Sequence, residues 1–288
     1  MTEQMRQMFY NNIELLDMTD KAVLCFREQN YLQALEYMPK ISEGMRSVLD
    51  GIISNREYFQ LVSTDSLIEM LEGILEASRC MDYVLLADLL ELQLSTLLCN
   101  VQELIMKKEE EAAFDEELYL TRCQAMSRAM ARADGAAIAA ELLGQPINPE
   151  ELLQKGYRVE YTSCGLMTVA VGTAQGSRYL HTNHKVLREA YLLAKAWVKE
   201  NTKTYLVRGF GMGYHIRELA RLAPSAKIEV YESDAEVLKL ACAFSPVTEL
   251  LENENVSLIY DRTGRAWQVR TEETGEAEKV CIHMPSLK

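Results

Sequence analysis

The spacing of apolar residues predicts that the chain is helical from its start to about residue 108. Apolar side chains recur in steps of four and three residues at Tyr83, Ala87, Leu90, Leu94, Leu97, Val101 and Leu104. This spacing places them on one face of a long helix. A second stripe runs from Met5 to Val23, and two more helices are predicted at about 31–53 and 64–78. Four helices with short connections predict an all-α helical bundle at residues 1–110.

A further helical pattern follows, from about Asp115 to Leu143, and it is broken at Asp134 and Gly135. An Asp-Gly pair is typical of a turn. We interpret residues 111–155 as a helical linker region between the bundle and the rest of the chain.

After Gly156 the period of the pattern changes from that of helices to that of strands. Two runs, 157–161 and 166–171, predict a β-hairpin, and a short strand is predicted near 178–181. A helix is then expected at about 185–200. Strands at 204–207, 227–231 and 256–260 alternate with helices at 214–222 and 235–244, which predicts a parallel sheet. The fold class is therefore two-domain α+β, with a helical bundle followed by an α/β Rossmann-like, methyltransferase-like domain at residues 156–288.

The turn after the first of these strands carries the clearest candidate ligand site. Gly209, Gly211 and Gly213 allow a sharp turn and a close approach of the backbone to a ligand. The start of the next helix, at Tyr214 and His215, favours negative charge. Glu232 ends the second strand, where its carboxylate is placed to accept hydrogen bonds from ribose hydroxyls. These six residues are the predicted cofactor-binding set.

The spacing of the glycines, G-x-G-x-G, resembles the first motif of S-adenosylmethionine-dependent methyltransferases more than the G-x-G-x-x-G of dinucleotide sites. Those enzymes commonly have an acid two residues before the first glycine, where this chain has Val207. Arg208 directly precedes that glycine. We expect it to form a salt bridge with a nearby acid, with a phosphate as the alternative partner.

The charge divides the chain into two parts. The net charge is −13, but residues 1–120 hold 23 acidic and 9 basic side chains, a balance of −14, and the rest is nearly neutral. An acidic surface repels phosphates, so we expect no nucleic-acid partner and instead a protein partner for the acidic bundle. An apolar fraction of 48% excludes a disordered acidic polymer.

Other features of composition favour a cytoplasmic protein. No run of 18 apolar residues is present, so we expect no membrane span. The first residues lack a basic region followed by an apolar run, so we expect no secretory signal. Seven cysteines without close pairs indicate buried free thiols in a reducing compartment.

The four histidines are the remaining candidates for chemistry. His181 and His184 are three residues apart in a predicted loop, but the sequence identifies no third ligand, so no metal site is predicted. His215 has two interpretations, an acid or base facing a ligand, or a local packing role. Arg188 and Glu189 either contact a ligand or pair on the helix surface. No catalytic residue is assigned.

Two neighbouring strings resemble a known family. Tyr179–His184 followed by Leu187–Ala190, together with Gly209–His215 and Tyr231–Asp234, resemble a block in bacterial motility accessory factors, the flagellin glycosyltransferases. The resemblance covers about residues 118–288 and implies the N-terminal Rossmann-like domain of that family. The helical part resembles no family known to us.

The chain also departs from that family. Its sugar-transferring domain is introduced by a Gly-Pro-Ser-Leu string, for which Met284–Leu287 is the nearest match here. We therefore expect the accessory domain without the transferase. This predicts an accessory, non-catalytic protein that binds a nucleotide or nucleotide-sugar in flagellin-type glycosylation or motility. The alternative is an S-adenosylmethionine-dependent methyltransferase.

Overall fold

The structure, a computed structural model, describes residues 3–108, 115–144, 147–174 and 176–287. It divides into two units. The first comprises Met1–Ala112 with Ser163–Gly165, and the second comprises Ala113–Thr162 with Leu166–Lys288. The predicted boundary at 110/111 lies outside the described residues.

The first unit is helical. Its elements are α1 (Glu3–Arg27), α2 (Tyr31–Ser54), α3 (Thr64–Arg79), α4 (Tyr83–Asp88) and α5 (Ser95–Lys108). The Ser63 hydroxyl accepts a hydrogen bond from the Ser66 N–H at the start of α3, and Asp82 does the same for Leu85 at the start of α4. Every residue of α1 from Thr19 to Phe26 is buried, so this helix is surrounded by its neighbours.

The seam of the last helix differs from the prediction. Helices α4 and α5 are joined by a π-helical segment, Leu89–Leu94, in which the Ser95 N–H bonds to the Leu90 carbonyl. A π-turn adds one residue to the turn. The buried positions are therefore Leu90, Leu94, Leu98, Val101 and Ile105, and the predicted Leu97 and Leu104 lie half-buried beside them.

The continuous helical stretch Tyr83–Lys107 is long and apolar enough to cross a membrane by length and composition alone. It is the one such stretch among the described residues. The sequence expectation of no span rested on uninterrupted apolar runs, and Asp88 and Glu91 interrupt this one. The indication is weak, because a buried core helix passes the same test.

The second unit contains two sheets. Strands β1 (Tyr157–Tyr161), β2 (Met167–Thr173) and β3 (Gly176–Tyr179) form an antiparallel sheet in sequence order. Strands β4 (Thr204–Arg208), β5 (Lys227–Glu232), β6 (Val256–Tyr260) and β7 (Glu278–Ile282) form a parallel sheet in the order β6-β5-β4-β7. Central β4 is buried at Tyr205, Leu206 and Val207, as expected of a parallel strand covered on both faces.

Eight α-helices among the described residues accompany these sheets. Three precede β1: α6 (Glu116–Ala131), α7 (Ala136–Leu143) and α8 (Pro149–Gln154). The helix α9 (Val186–Trp197) follows β3, α10 (Tyr214–Leu222) follows β4, and α11 (Ala235–Phe244) and α12 (Thr248–Glu252) follow β5. The last, α13 (Arg265–Glu272), follows β6, and a 3-10 turn, Met284–Ser286, follows β7. The observed fold is thus mixed α/β, with a parallel four-stranded sheet and an N-terminal helical part.

The segment interpreted as a linker is an integral part of the second unit. Arg122 of α6 donates to the carbonyls of Cys242 and Ala243 at the end of α11. Arg132 donates to the carbonyls of Leu251 and Val256, at 3.0 and 2.8 Å. These carbonyls lie at helix ends and in a strand, where they need donors. The helical pattern of the sequence did not reveal these hydrogen bonds, because the residues that form them are polar.

None of the seven cysteines forms a disulfide, and they are not all buried, which corrects the expectation of buried thiols. Five are buried, Cys99 is half-buried and Cys80 is exposed. Cys80 follows the last residue of α3, and its thiol lies 3.2 Å from a carboxylate oxygen of Glu76. That carboxylate raises the pKa of the Cys80 thiol, which keeps it protonated at neutral pH.

Candidate ligand cleft and histidine cluster

The glycine turn after β4 is formed as predicted but is closed to solvent. Gly209, Gly211 and Gly213 all have positive φ, at 98°, 52° and 80°. Every residue from Gly209 to Ile216 is buried. The predicted Tyr214 and His215 are therefore buried as well, and the Tyr214 hydroxyl donates to the Met167 carbonyl of β2 at 2.7 Å.

Protein atoms occupy the space next to these glycines. A Cβ at Gly209 would lie 2.5 Å from the Ser286 Cβ, and one at Gly211 would lie 2.8 Å from His181 Nε2. A Cβ at Gly213 would lie 3.0 Å from a methyl of Val247. The turn therefore needs glycine for contact with its own chain, which is a different reason from the ligand contact that the sequence suggested.

Glu232, the predicted ribose ligand, also forms its hydrogen bonds with groups of the chain itself. Its side chain is buried and accepts hydrogen bonds from the backbone N–H groups of Phe210, Ser233 and Asp234 at 2.7 to 2.8 Å. Burial raises the pKa of Glu232 to about 6, while the hydrogen bonds from Phe210 and Asp234 act in the opposite direction. The carboxylate links the glycine turn to the start of α11, and it is not exposed to a ligand.

An open cleft lies at the carboxyl ends of β4, β5 and β6. It has a volume of about 860 Å³, within the range typical of small-molecule sites. Its walls come from the end of β4, the β5–α11 loop and the β6–α13 loop. Crevices at the carboxyl ends of parallel strands are where open α/β sheets bind ligands.

Two arginines give this cleft a positive charge. Arg208 ends β4, and Arg262 lies in the β6–α13 loop. Among the described residues, neither guanidinium forms a salt bridge with an acidic side chain, so the expected salt bridge of Arg208 is not found there. The Arg208 guanidinium instead lies 5.8 Å from the centre of the Trp267 ring. An unneutralised arginine at the strand end is suited to bind an anion.

The opposite wall of the cleft is polar, and its side chains are joined by hydrogen bonds and ion pairs. The Tyr157 hydroxyl donates to the Asp234 carboxylate at 2.5 Å, and Asp234 also accepts the Glu236 N–H at the start of α11. Lys155 lies between the carboxylates of Glu151 and Glu236, at 2.5 and 2.8 Å. Burial, with the bond to Asp234 next in size, raises the pKa of Tyr157 and keeps it a hydrogen-bond donor.

Three of the four histidines meet in the interior of the second unit. His181 follows β3, His215 lies in the first turn of α10, and His283 follows β7. All three are buried, and each has one ring nitrogen within 4.8 Å of the others. Their ring centres are 4.1 Å apart for His215 and His283, and 4.7 Å for His181 and His283. His184 is exposed and is not a member.

In each of the three rings, one nitrogen lies within hydrogen-bonding distance of a neighbouring group. His181 Nδ1 lies 3.1 Å from the Glu189 carboxylate, His215 Nε2 lies 3.1 Å from the Gly209 carbonyl, and His283 Nδ1 lies 2.7 Å from the Ser286 hydroxyl. Glu189 also accepts the Thr182 N–H, so it fixes the loop that carries His181.

His215 and His283 are electrically neutral in the folded chain at physiological pH. Burial lowers the pKa of His215 well below its ordinary value, and the neighbouring His181 acts in the same direction. Burial also lowers the pKa of His283, with further contributions from His215, His181 and the charge of Arg178. His215 is therefore not the solvent-facing acid or base that one sequence interpretation offered; it packs inside the chain.

Sequence reasoning singled out Arg208, with a phosphate as the alternative partner, but it did not single out Arg262 and gave His283 no role. Arg208 and Arg262 each stand at the carboxyl end of a predicted strand, and that position was the available signal. His283 gave no local signal, because its neighbours in the cluster come from distant parts of the chain.

Comparisons with known proteins add little to this description. Residues 5–104 match a family model described as a domain of unknown function (DUF8042). No curated protein matches the chain. Among solved structures, the crystal structure of MNMC2 from Aquifex aeolicus matches at 19% identity, with a TM-score of 0.26. The match covers 63% of this chain and 59% of that one, less than two thirds of its length. A TM-score of this size supports no conclusion about fold or function.

Proposed function

We propose that the second unit binds a nucleotide or nucleotide-sugar in the cleft at the carboxyl ends of β4, β5 and β6. The observation that carries this proposal is Arg208, which ends the central strand, faces the cleft and has no acidic partner among the described residues. A diphosphate supplies the missing negative charge, and Arg262 adds a second guanidinium from the facing loop.

The architecture supports the same ligand class. The order β6-β5-β4-β7 is the 3-2-1-4 order of the first strands in a nucleotide-binding doubly wound sheet, counted from β4 as the first. We therefore propose a Rossmann-like domain. Ser233 and Thr263, which also line the cleft, carry hydroxyls that can form hydrogen bonds with the sugar.

The biological setting follows from the sequence resemblance. We propose an accessory, non-catalytic role in the glycosylation of a surface protein of the flagellin type, in the cytoplasm. The acidic first unit is proposed to bind a protein partner. Its apolar side chains that remain exposed support a docking role, with Leu61 at 85% and Leu75 at 70% exposure.

The alternative, a methyltransferase that uses S-adenosylmethionine, needs the glycine turn and Glu232 for its cofactor. The burial of the turn and the three backbone hydrogen bonds on Glu232 disfavour it. The two functions differ in which residues a ligand requires, and this difference makes them separable by mutation.

The test is calorimetric titration of the full chain with UDP, a UDP-sugar, CMP and S-adenosylhomocysteine. We expect a nucleotide to bind, and Arg208→Gln and Arg262→Gln each to weaken that binding about tenfold or more, the value of one charge-assisted hydrogen bond. Arg128→Gln is the matched control, because Arg128 lies on α6 and pairs with Glu252 outside the cleft. Failure of every nucleotide to bind would overturn the proposal. Binding of S-adenosylhomocysteine that depends on Glu232 would establish the alternative.

A further inference from the structure

The three-histidine cluster has a property that packing alone does not explain. One nitrogen of each ring, Nε2 of His181, Nδ1 of His215 and Nε2 of His283, is buried and has no hydrogen-bond partner within the described part of the chain. Buried polar atoms in folded proteins are nearly always paired, and exceptions indicate an ion, a water or a functional role.

The partners on the far side of each ring determine where the lone pairs point. A carboxylate and a carbonyl can only accept, so His181 Nδ1 and His215 Nε2 carry the ring protons. In a neutral imidazole the other nitrogen then carries the lone pair. His181 Nε2 and His215 Nδ1 therefore carry lone pairs, and so does His283 Nε2 when its Nδ1 donates to Ser286.

This arrangement has the outer shell that metal-binding histidines show. A ligating histidine usually donates its second ring N–H to a carboxylate, a backbone carbonyl or another fixed acceptor, which sets its orientation and tautomer. Here Glu189, the Gly209 carbonyl and the Ser286 hydroxyl supply one such acceptor for each ring. We propose that His181, His215 and His283 form a binding site for a divalent transition-metal ion such as Zn²⁺.

These nitrogens can hold one ion only after the rings move closer together and turn. Three atoms that lie within 4.8 Å of one another share a point within about 2.8 Å of each, compared with about 2.0–2.1 Å for a zinc–imidazole bond. The rings of His215 and His283 are nearly parallel, with 17° between their planes. Because the lone pairs lie in the ring planes, binding requires these rings to rotate toward a common point.

The surrounding charges partly balance such an ion. The Glu189 carboxylate contacts His181, whereas Arg178 places a positive charge near His283. Imidazole ligands suit zinc, copper, iron and nickel better than calcium or magnesium. Three nitrogens leave a further coordination position for a ligand from outside the chain.

The site would join three segments that are distant in sequence. The loop after β3, the start of α10 and the segment after β7 each contribute one histidine. The strands β4 and β7, which precede two of these segments in the chain, lie side by side in the sheet. An ion here would fix the His283–Leu287 segment over the glycine turn, independently of any nucleotide in the cleft.

The experiment uses tag-free full-length protein, Zn²⁺ in competition with a chelator, and Co²⁺ as a spectroscopic probe. We expect one ion per chain, a rise of several degrees in Tm with Zn²⁺, and visible Co²⁺ absorption typical of low coordination number. The variants His181→Gln and His283→Gln should lose more than about 100-fold in affinity, and Glu189→Gln about 10–100-fold. His184→Gln, which removes the one histidine outside the cluster, is the matched control and should bind as the unaltered chain does.

Two results would overturn the proposal. In the first, the unaltered chain neither contains nor takes up a stoichiometric ion, which assigns the histidines a packing role only. In the second, His184→Gln loses as much affinity as His181→Gln, which places the ion on the surface. If the buried variants fail to fold, Co²⁺ absorption of the unaltered chain and the effect of Glu189→Gln, at a half-exposed residue, decide the question.

Discussion

At the carboxyl end of β4, the region next to β7 differs sharply from the region next to β5 and β6. Toward β7, the glycine turn is buried beneath His283 and Ser286, and its polar atoms are bonded to the chain itself. Toward β5 and β6, the strand ends open into a cleft that contains Arg208 and Arg262. A glycine motif alone therefore does not locate a ligand. Glycines allow any group to come close to the backbone, and here the groups that come close are side chains of the same chain.

The first prediction tests the close packing of the glycine turn by adding a methyl group to it. Gly211→Ala places a Cβ 2.8 Å from His181 Nε2, in a backbone conformation with φ of 52° that alanine rarely adopts. We expect a loss of about 2–4 kcal/mol in the free energy of unfolding. Denaturant unfolding of the variant measures it.

The matched control is Gly275→Ala, where the nearest atom to a Cβ is 3.9 Å away. We expect a change within about 0.5 kcal/mol there. Equal stability of the two variants would show that the glycine turn is loosely packed, contrary to the closed arrangement.

The second prediction concerns pH, in the metal-free protein. Burial lowers the pKa values of His215 and His283 in the folded state, so the unfolded state takes up protons first as the pH falls below about 6.5. The stability from these groups is present above that pH and is lost below it, by up to about 1.4 kcal/mol per pH unit for each histidine. Glu232, with a raised pKa of about 6, acts in the opposite direction, because its contribution is lost as the pH rises through that value.

Unfolding free energies measured at pH 7.5 and 5.5 test this prediction. The His184→Gln variant should show the same slope as the unaltered chain, since His184 is exposed. A stability that does not change between these two pH values would contradict the burial of the cluster.

The third prediction separates structure from ligand binding at Glu232. Glu232→Gln keeps the shape but turns an NH₂ group toward backbone N–H donors, and we expect a loss of about 1–3 kcal/mol in stability. Nucleotide affinity should change less than twofold, because the carboxylate does not face the cleft. A large loss of nucleotide affinity without a loss of folding stability would contradict this prediction and indicate that Glu232 binds the ribose.

Most of the helices and strands followed from the sequence, because apolar period and glycine position are local signals, but the short helices α8, α12 and α13 did not. The buried face of the helix after Leu94 could not be predicted in this way. A π-turn moves it to Leu98 and Ile105, and no pattern in the sequence marks the extra residue. The anchoring of α6 by Arg122 and Arg132 was equally hidden, because it depends on carbonyls more than a hundred residues away.

The candidate site was predictable only in part. Sequence reasoning placed the glycine turn and Glu232 at the correct strand ends, but it had no means to show that Ser286 and His283 would cover them. It also considered His181 with His184, its neighbour in sequence, whereas the fold pairs His181 with His215 and His283. Spatial clusters assembled from separate strand ends leave no trace in local spacing.

Hydrogen–deuterium exchange with and without a bound nucleotide tests the comparison of the two regions most directly. The account predicts that amides of residues 209–215 exchange slowly in the free protein and do not change, while residues 233–236 and 260–264 gain protection when UDP or a UDP-sugar binds. Rapid exchange at 209–215 in the free protein, followed by protection there on ligand binding, would contradict it.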